Sequence, residues 1–261
     1  MRTVTVLRSR DNPRVRRWAK LVRDSSLRKK AGRAIVEGPH LLAALLEQGL
    51  EPISVFATEN GLARDEIKAL VLKAKANPVV LSESVFRAIA DAETPQGIAA
   101  EIEIPAARAA QWRQAVFLEG VQDPSNVGAI LRTAAAFGVG EVVLDRGCAD
   151  VWSPKVLRAG MGGHFRLNLR ITGDLGVEIE RFSGTAVCTV PSGGVPLRQA
   201  DLGGRLGWIF GAEGRGVSQP TAALARLKVT IPMTPGSESL NVAAAAAICL
   251  YEAFSRPAAG S

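Results

Sequence analysis

The chain has 261 residues, 47% of them hydrophobic and 22% charged, with a formal net charge of +7. This is globular composition, long enough for one large domain or two modest ones. With no uninterrupted run of 18 apolar residues and no apolar segment at the N-terminus, neither a membrane-spanning helix nor a secretory signal is expected.

Three well-separated cysteines, Cys148, Cys188 and Cys249, show no C-x-x-C spacing and read as buried free thiols in a reducing, cytoplasmic compartment. Beside them stand only His40 and His164, too few for a zinc site. The charge is unevenly placed. Residues 1–33 hold 12 Lys/Arg against Asp11 and Asp24, whereas the remainder holds 20 basic and 23 acidic residues. The block is acid-poor, as transit peptides are, but its concentrated charge reads as a soluble basic arm that grips a polyanion. Nucleic acid is the commonest such partner. A solvated basic helix without a ligand is the alternative.

In chain order, residues 12–30 are helix-compatible after Pro13, with Val15, Trp18, Leu21 and Val22 on one side. Ala34–Glu37 reads as a strand, 41–48 as a helix stopped at Gly49, and Ile53–Ala57 as a strand. A helix over Asp65–Ala76 ends at Asn77-Pro78. Val79–Leu81 is a strand, Ser82 caps a helix from about Glu83 to Ala90, and Ile98–Ile104 alternates like a half-buried strand. Residues 34–104 thus form a small α/β domain, and 105–113, with its Ala, Arg and Pro, a linker.

The second domain, 114–256, alternates regularly. It reads as strand 115–119, helix 126–137, strand 142–144, helix 154–161, strand 165–169, helix 177–182 and strand 186–190. Strand 206–210, helix 219–225, strand 229–232 and a terminal helix 240–254 complete it. Such alternation predicts a mostly parallel sheet covered on both faces. The terminal helix is apolar almost all round, so it is either central to the core or part of a subunit interface. Residues 257–261 read as a frayed tail.

Three stretches of this domain carry chemistry, each where a strand-like run gives way to a turn or helix. The first is Asn126-Val-Gly128-Ala-Ile-Leu-Arg132-Thr133. Asn126 is placed to cap a helix, Gly128 allows close backbone approach, and Arg132 offers a planar fork on an otherwise apolar helix. That fork suits a phosphate or carboxylate; a structural pair with a carboxylate such as Glu213 is the alternative. The second is Phe210-Gly211-Ala-Glu213-Gly214-Arg-Gly216-Val-Ser218, a glycine-rich turn after a strand. It is neither a P-loop nor a dinucleotide fingerprint, which argues against NTPase and nicotinamide-dependent oxidoreductase activity. The third is Ile231-Pro232-Met233-Thr-Pro235-Gly236-Ser237-Glu-Ser239-Leu240-Asn241-Val-Ala243, an irregular loop in which Ser237 or Ser239 caps the terminal helix and Asn241 lies in its first turn.

In this order and spacing, the three stretches resemble the motifs of the SpoU (TrmH-like) 2′-O-ribose RNA methyltransferases, of the SPOUT class. Pro154–Gly162 resembles the family's middle region. Residues 34–104, with Glu37-Gly38 and Thr94-Pro95-Gln96-Gly97, look more loosely like its L30e-like substrate-binding domain.

The resemblance implies an α/β fold with a deep trefoil knot and a homodimer. It implies S-adenosyl-L-methionine held near Thr189, Val190, Gly211, Ile231, Met233, Ser239 and Leu240, without a metal. It assigns help with loss of the 2′-hydroxyl proton to Arg132. An arginine is a poor base, so orienting the hydroxyl through the adjacent phosphate is an equal reading of that residue. Asn126, Glu213, Ser239 and Asn241 are then expected to shape the pocket. Structured RNA is the implied substrate, 23S rRNA ahead of tRNA, and a non-catalytic RNA-binding member is the alternative.

Overall fold

The computed structural model describes residues 6–108, 110–234, 236–237 and 239–256. The first five residues of the basic arm, Ala109 of the linker, Pro235 and Glu238 of the third motif and the tail at 257–261 lie outside the described residues. The chain divides into two units, one of Met1–Ala106 with Trp152–Phe165, the other of Ala107–Val151 with Arg166–Ser261.

The first unit begins with helices α1 (Pro13–Arg23) and α2 (Ser25–Ala31), then runs β1 (Arg33–Glu37), α3 (Pro39–Glu47), β2 (Ser54–Thr58), α4 (Glu59–Ala63), α5 (Asp65–Lys73), β3 (Val79–Leu81), α6 (Glu83–Ile89) and β4 (Ile98–Glu103). The sheet order is β1-β4-β2-β3, with β4 antiparallel to both neighbours and β2 parallel to β3. The single helix expected over 12–30 is two. Asp24 ends α1, and its carboxylate accepts from the N–H groups of Ser26 and Leu27 at 2.8 and 3.1 Å, capping α2.

These helices are built into the unit. Val15, Trp18 and Leu21 are buried with Phe56, Leu81 and Phe86. The Trp18 ring stacks on Phe56 with centroids 4.2 Å apart, and its Nε1–H donates to Glu101 Oε2 at 2.9 Å. Glu101, buried in the middle of β4, is also paired with Arg17. The boundary expected at residue 33 therefore has no structural counterpart. α1 combines a buried apolar side with an exposed basic one, and the sequence pattern shows both.

The second unit runs β5 (Gln114–Glu119), α7 (Pro124–Ala136), β6 (Glu141–Asp145), then, after an excursion carrying α8 (Pro154–Gly160), β7 (Asn168–Thr172), α9 (Leu175–Arg181), β8 (Thr185–Thr189), β9 (Val195–Pro196), β10 (Leu206–Gly211), α10 (Gln219–Ala223), β11 (Leu227–Thr230) and α11 (Val242–Ser255). The excursion groups with the first unit: α8 packs on β1, and Arg158 Nη2 donates to Asp91 at 2.8 Å. The continuous domain expected over 114–256 is thus interrupted at 152–165.

The seven strands follow the order β7-β6-β5-β10-β8-β11-β9, every pairing parallel. Central strands β5 and β10 are buried along almost their whole length, as a parallel sheet covered on both faces requires. On one face Phe117, Val143, Cys188 and Ile209 pack with Leu175 and Ile179 of α9. α11 packs against α7 and β10.

Ser82 precedes α6, but its side chain makes no capping hydrogen bond to it. Several boundaries differ from expectation. β7 starts three residues late because Gly163–Phe165 forms a tight 3-10 turn. β11 lies two residues earlier, and β9, only two residues long, has no periodic signature. α11 is not central to the core. It buries Ala246, Cys249, Leu250 and Ala253 but leaves Ile248, Tyr251 and Phe254 exposed at 40%, 57% and 57%.

Candidate active site

From β5 the chain moves outward through β6 and β7, while β10 occupies the other side of β5. The strand order therefore reverses between β5 and β10, and open α/β sheets bind ligands outside the carboxyl ends of the strands at such a point. Glu119 and Gly211 sit there as register partners. The loop after Gly211 folds straight back, with Gly216 N–H bonded to the Ala212 carbonyl at 2.8 Å. A Cβ on Gly211 would lie 2.2 Å from the Gly216 carbonyl group, so only glycine fits.

Three motif residues meet beside this loop. Asn126 Nδ2 donates to Glu213 Oε1 at 2.5 Å, and Asn241 Nδ2 donates to Asn126 Oδ1 at 2.9 Å. Asn241 Oδ1 in turn accepts from the N–H groups of Ala243 and Ala244 at 2.9 and 3.2 Å. One hydrogen-bonded chain thus links the first turn of α7, the loop after β10 and the start of α11. Two expectations are corrected. Asn126 is not a cap; Asp123 caps α7, and hydrogen bonds from Ser125 hold its carboxyl below the ordinary range. Neither Ser237 nor Ser239 caps α11; Asn241 does, because the helix begins at Val242.

Arg132 lies six residues beyond Asn126, under two turns along α7. It is exposed and makes no ion pair or side-chain hydrogen bond among the described residues. The structural pair with Glu213 is not formed, since Glu213 is engaged by Asn126. Ser239 is exposed and likewise has no side-chain partner among the described residues.

Sequence reasoning passed over Glu119. Its carboxylate accepts from the Ser218 N–H (2.7 Å), the Ser218 hydroxyl (2.8 Å) and the Thr221 hydroxyl (2.6 Å), tying the far end of the glycine loop to β5. It also passed over Asp145, which accepts from Gly120, Gly147 and Cys148 N–H groups at the ends of β5 and β6. A carboxylate closing an apolar strand immediately before a turn is the signal that marks both.

Of the residues expected at the cofactor, Thr189, Val190, Gly211 and Ile231 come together at one edge. β8 lies between β10 and β11, so Thr189, Gly211 and Thr230 end adjacent parallel strands. Val190 and Ile231 follow two of those ends. In the loop beyond, Met233 and Leu240 leave 37% and 39% of their surface exposed. Strand-end backbone groups and exposed apolar side chains in the following loop are residue types that fit S-adenosylmethionine, whose adenine is a flat aromatic ring with hydrogen-bonding edges and whose amino-acid end is charged.

Comparison with known proteins agrees with this geometry. Residues 113–251 match the SpoU rRNA methylase family, and residues 12–100 match the MRM3-like substrate binding domain. The 23S rRNA (guanosine(2553)-2′-O)-methyltransferase RlmP of Bacillus subtilis is 34% identical over 94% of this chain and 97% of its own. A putative RNA methyltransferase of the TrmH family from Porphyromonas gingivalis superposes with a TM-score of 0.81 at 32% identity, covering 92% of this chain and 96% of that one. The AdoMet-bound rRNA methyltransferase of Sinorhizobium meliloti gives 0.82 at 25% identity over 95% and 97%. The fold and site define an RNA methyltransferase of the SPOUT class, and the chain belongs to the SpoU rRNA methylase family. It is an enzyme that uses S-adenosylmethionine to methylate a ribose 2′-hydroxyl of RNA.

Proposed function

We infer that the protein methylates 23S rRNA, as a knotted homodimer in the cytoplasm, with Arg132 as the residue that orients the reacting ribose. The observation that carries this reading is the Asn126–Glu213–Asn241 chain, which fixes the three motifs to one another while Arg132, on the same helix, has no side-chain partner among the described residues.

Thr189, Val190, Gly211, Ile231, Met233, Ser239 and Leu240 would hold the cofactor, which when bound would supply an electrophilic methyl group on its sulfonium. Arg132 binds the phosphate next to the target ribose as a planar fork and thereby points the 2′-oxygen. A guanidinium is a cation and a poor proton acceptor, so the hydroxyl proton leaves to water. Asn126, Glu213, Asn241 and Ser239 hold the pocket around that ribose. None of these steps calls for a metal.

The rRNA reading is supported by the B. subtilis relative, which acts on guanosine 2553 of 23S rRNA, and by the match of the first unit to a substrate-binding domain. The corresponding guanosine is the first nucleotide to examine. On that unit Arg16, Lys20, Lys29 and Lys30 are exposed, and their side chains have no partner among the described residues, leaving them available for RNA phosphates. The dimer is supported by α11, whose Ile248, Tyr251 and Phe254 form an exposed apolar stripe beside Phe137. The knot is supported by the interleaving of strands, with β10 inserted between β5 and β8. The reducing compartment is supported by three free thiols.

The test is to incubate the protein with methyl-labelled S-adenosylmethionine and, separately, rRNA and tRNA that lack native methylation, then digest and locate the label. Label on a ribose 2′-oxygen of 23S rRNA is the expected result. Label in tRNA alone refutes the rRNA reading, and label on a base refutes the roles given to Arg132 and its neighbours.

A further inference from the structure

The second unit has another cavity, of about 650 Å³, at the amino ends of its strands. It therefore lies at the edge of the sheet opposite the three motifs. Its walls are aromatic: Phe117 and Phe182 meet edge to face at 5.7 Å, and Trp112 lies beside them. Trp112 is fixed from behind, since a Cβ on Gly140 would fall 2.1 Å from its ring. Its indole N–H is buried and has no acceptor among the described residues.

The charged groups fall into two sets. Arg205 and Arg170 are committed. Arg205 lies over the Phe182 ring at 5.5 Å, with Nε donating to the Trp112 carbonyl at 3.1 Å and Nη1 to Gln111 and Ser183 at 2.9 Å each. Arg170 donates to Glu141 at 2.9 Å and Glu178 at 2.7 Å, which offsets the acidic charge in the wall. Arg108 and Arg181 are free: both are exposed, and neither side chain has a partner among the described residues.

The backbone of Arg108 is nonetheless held. Asn168, 2% exposed, accepts from the Arg108 N–H at 2.7 Å and donates to its carbonyl at 3.1 Å. A buried asparagine thus anchors a free arginine at the rim. Arg181 stands in the last turn of α9, where a cation is favoured by the helix dipole. That dipole accounts for Arg181 but not for Arg108. Among the described residues no helix begins at this edge, so an anion here would be recognised by guanidinium groups.

We propose that this cavity is a second ligand site, separate from the methyl-transfer site, that takes one nucleotide. The base lies against Phe182 and Trp112, while the phosphate meets Arg108 and Arg181. Aromatic walls with arginines at the rim suit a planar base carrying an anion, and base stacking of this kind tolerates any sequence. The same chemistry is offered by a free nucleotide and by an unpaired nucleotide within an RNA chain.

The test uses the full-length protein saturated with S-adenosylmethionine, so that the methyl-transfer site is filled. Adenosine 5′-monophosphate, adenosine and a five-residue oligoadenylate are titrated by calorimetry, with tryptophan fluorescence followed in parallel. The monophosphate is expected to bind more tightly than adenosine. Arg108→Ala and Arg181→Ala are each expected to weaken it about tenfold or more, as loss of a charge-assisted hydrogen bond does. Trp112→Phe is expected to remove the fluorescence change. Oligoadenylate binding more tightly than the monophosphate would identify RNA as the source, and the reverse a free nucleotide.

Both arginine side chains are exposed and unpaired, so the variants are expected to fold and to bind S-adenosylmethionine as the parent does. Absence of binding by all three probes overturns the proposal, as does binding that both arginine variants leave unchanged. A failure of the methylation assay alone leaves this measurement standing.

Discussion

Asn126 donates to Glu213 at 2.5 Å and accepts from Asn241 at 2.9 Å, so a single buried amide joins residues 87 and 115 positions further along the chain. Both ends of the amide are used, and in one orientation only: the nitrogen faces a carboxylate and the oxygen faces a second amide. Asn126→Asp places two carboxylates together and removes the donor. We expect turnover to fall about 100-fold or more, with S-adenosylmethionine binding weakened less, read from single-turnover methylation beside calorimetry. Glu213→Gln keeps an acceptor for Asn126 and is expected to retain activity to within about tenfold. Equal losses in the two variants would show that charge at Glu213, rather than the geometry of the chain, is what matters.

The Arg132 side chain is exposed and has no hydrogen bond or ion pair among the described residues, so its replacement has little to disturb in the fold. Arg132→Ala and Arg132→Lys are expected to leave thermal stability within about 0.5 kcal/mol of the parent. Methyl transfer is expected to fall about 100-fold or more in both, because an ammonium does not reproduce a planar fork. An Arg132→Lys enzyme with full turnover would remove Arg132 from the mechanism.

Trp18 and Glu101 test whether the basic segment is part of the first unit or attached to it. Trp18→Ala opens a cavity against Phe56 and leaves a buried carboxylate acceptor short of a donor. It is expected to cost about 3–5 kcal/mol in urea unfolding. Trp18→Phe keeps most of the stack but loses the Nε1–H bond, and is expected to cost about 1 kcal/mol. A Trp18→Ala protein as stable as the parent would show that α1 is an appendage after all.

The cysteines are expected to be inert. Burial pushes the thiols of Cys148 and Cys249 up to about 12 and that of Cys188 up to about 11. Thiolate is the reactive form, so at pH 8 the folded protein should resist a thiol reagent that modifies all three once it is unfolded. The sign of the accompanying pH dependence follows. Above the ordinary thiol range, near 8.5, the unfolded chain releases protons that the folded chain retains. Stability therefore falls as pH rises from there toward 11–12, and is unaffected by these groups below it. Rapid labelling at pH 8 without unfolding would contradict the burial.

Much of the second unit is legible in local pattern. Strands β5, β6, β8 and β10 are continuous apolar runs, which parallel strands buried on both faces must be. The three motif stretches stand at the ends of such runs. Where a side chain stops or starts an element, the local pattern was less complete. Asp24 and Asp123 compete with neighbouring polar residues for the role of cap, and only backbone direction settles which oxygen reaches a free N–H.

Residue types and their spacing identified the family, the alternation of strands and helices, and Asn126, Arg132, Glu213 and Asn241 as the residues to examine. These are properties of short segments, set by side-chain period and turn chemistry. The folded chain decided the rest: that Asn126 serves Glu213 and Asn241 rather than its own helix, that Glu119 holds the glycine loop, that 152–165 leaves the second unit, and that one side of α11 stays exposed. Each depends on which strands are neighbours and which side chains meet across scores of residues. Hydrophobic period reports which face of an element is buried, but not what covers it.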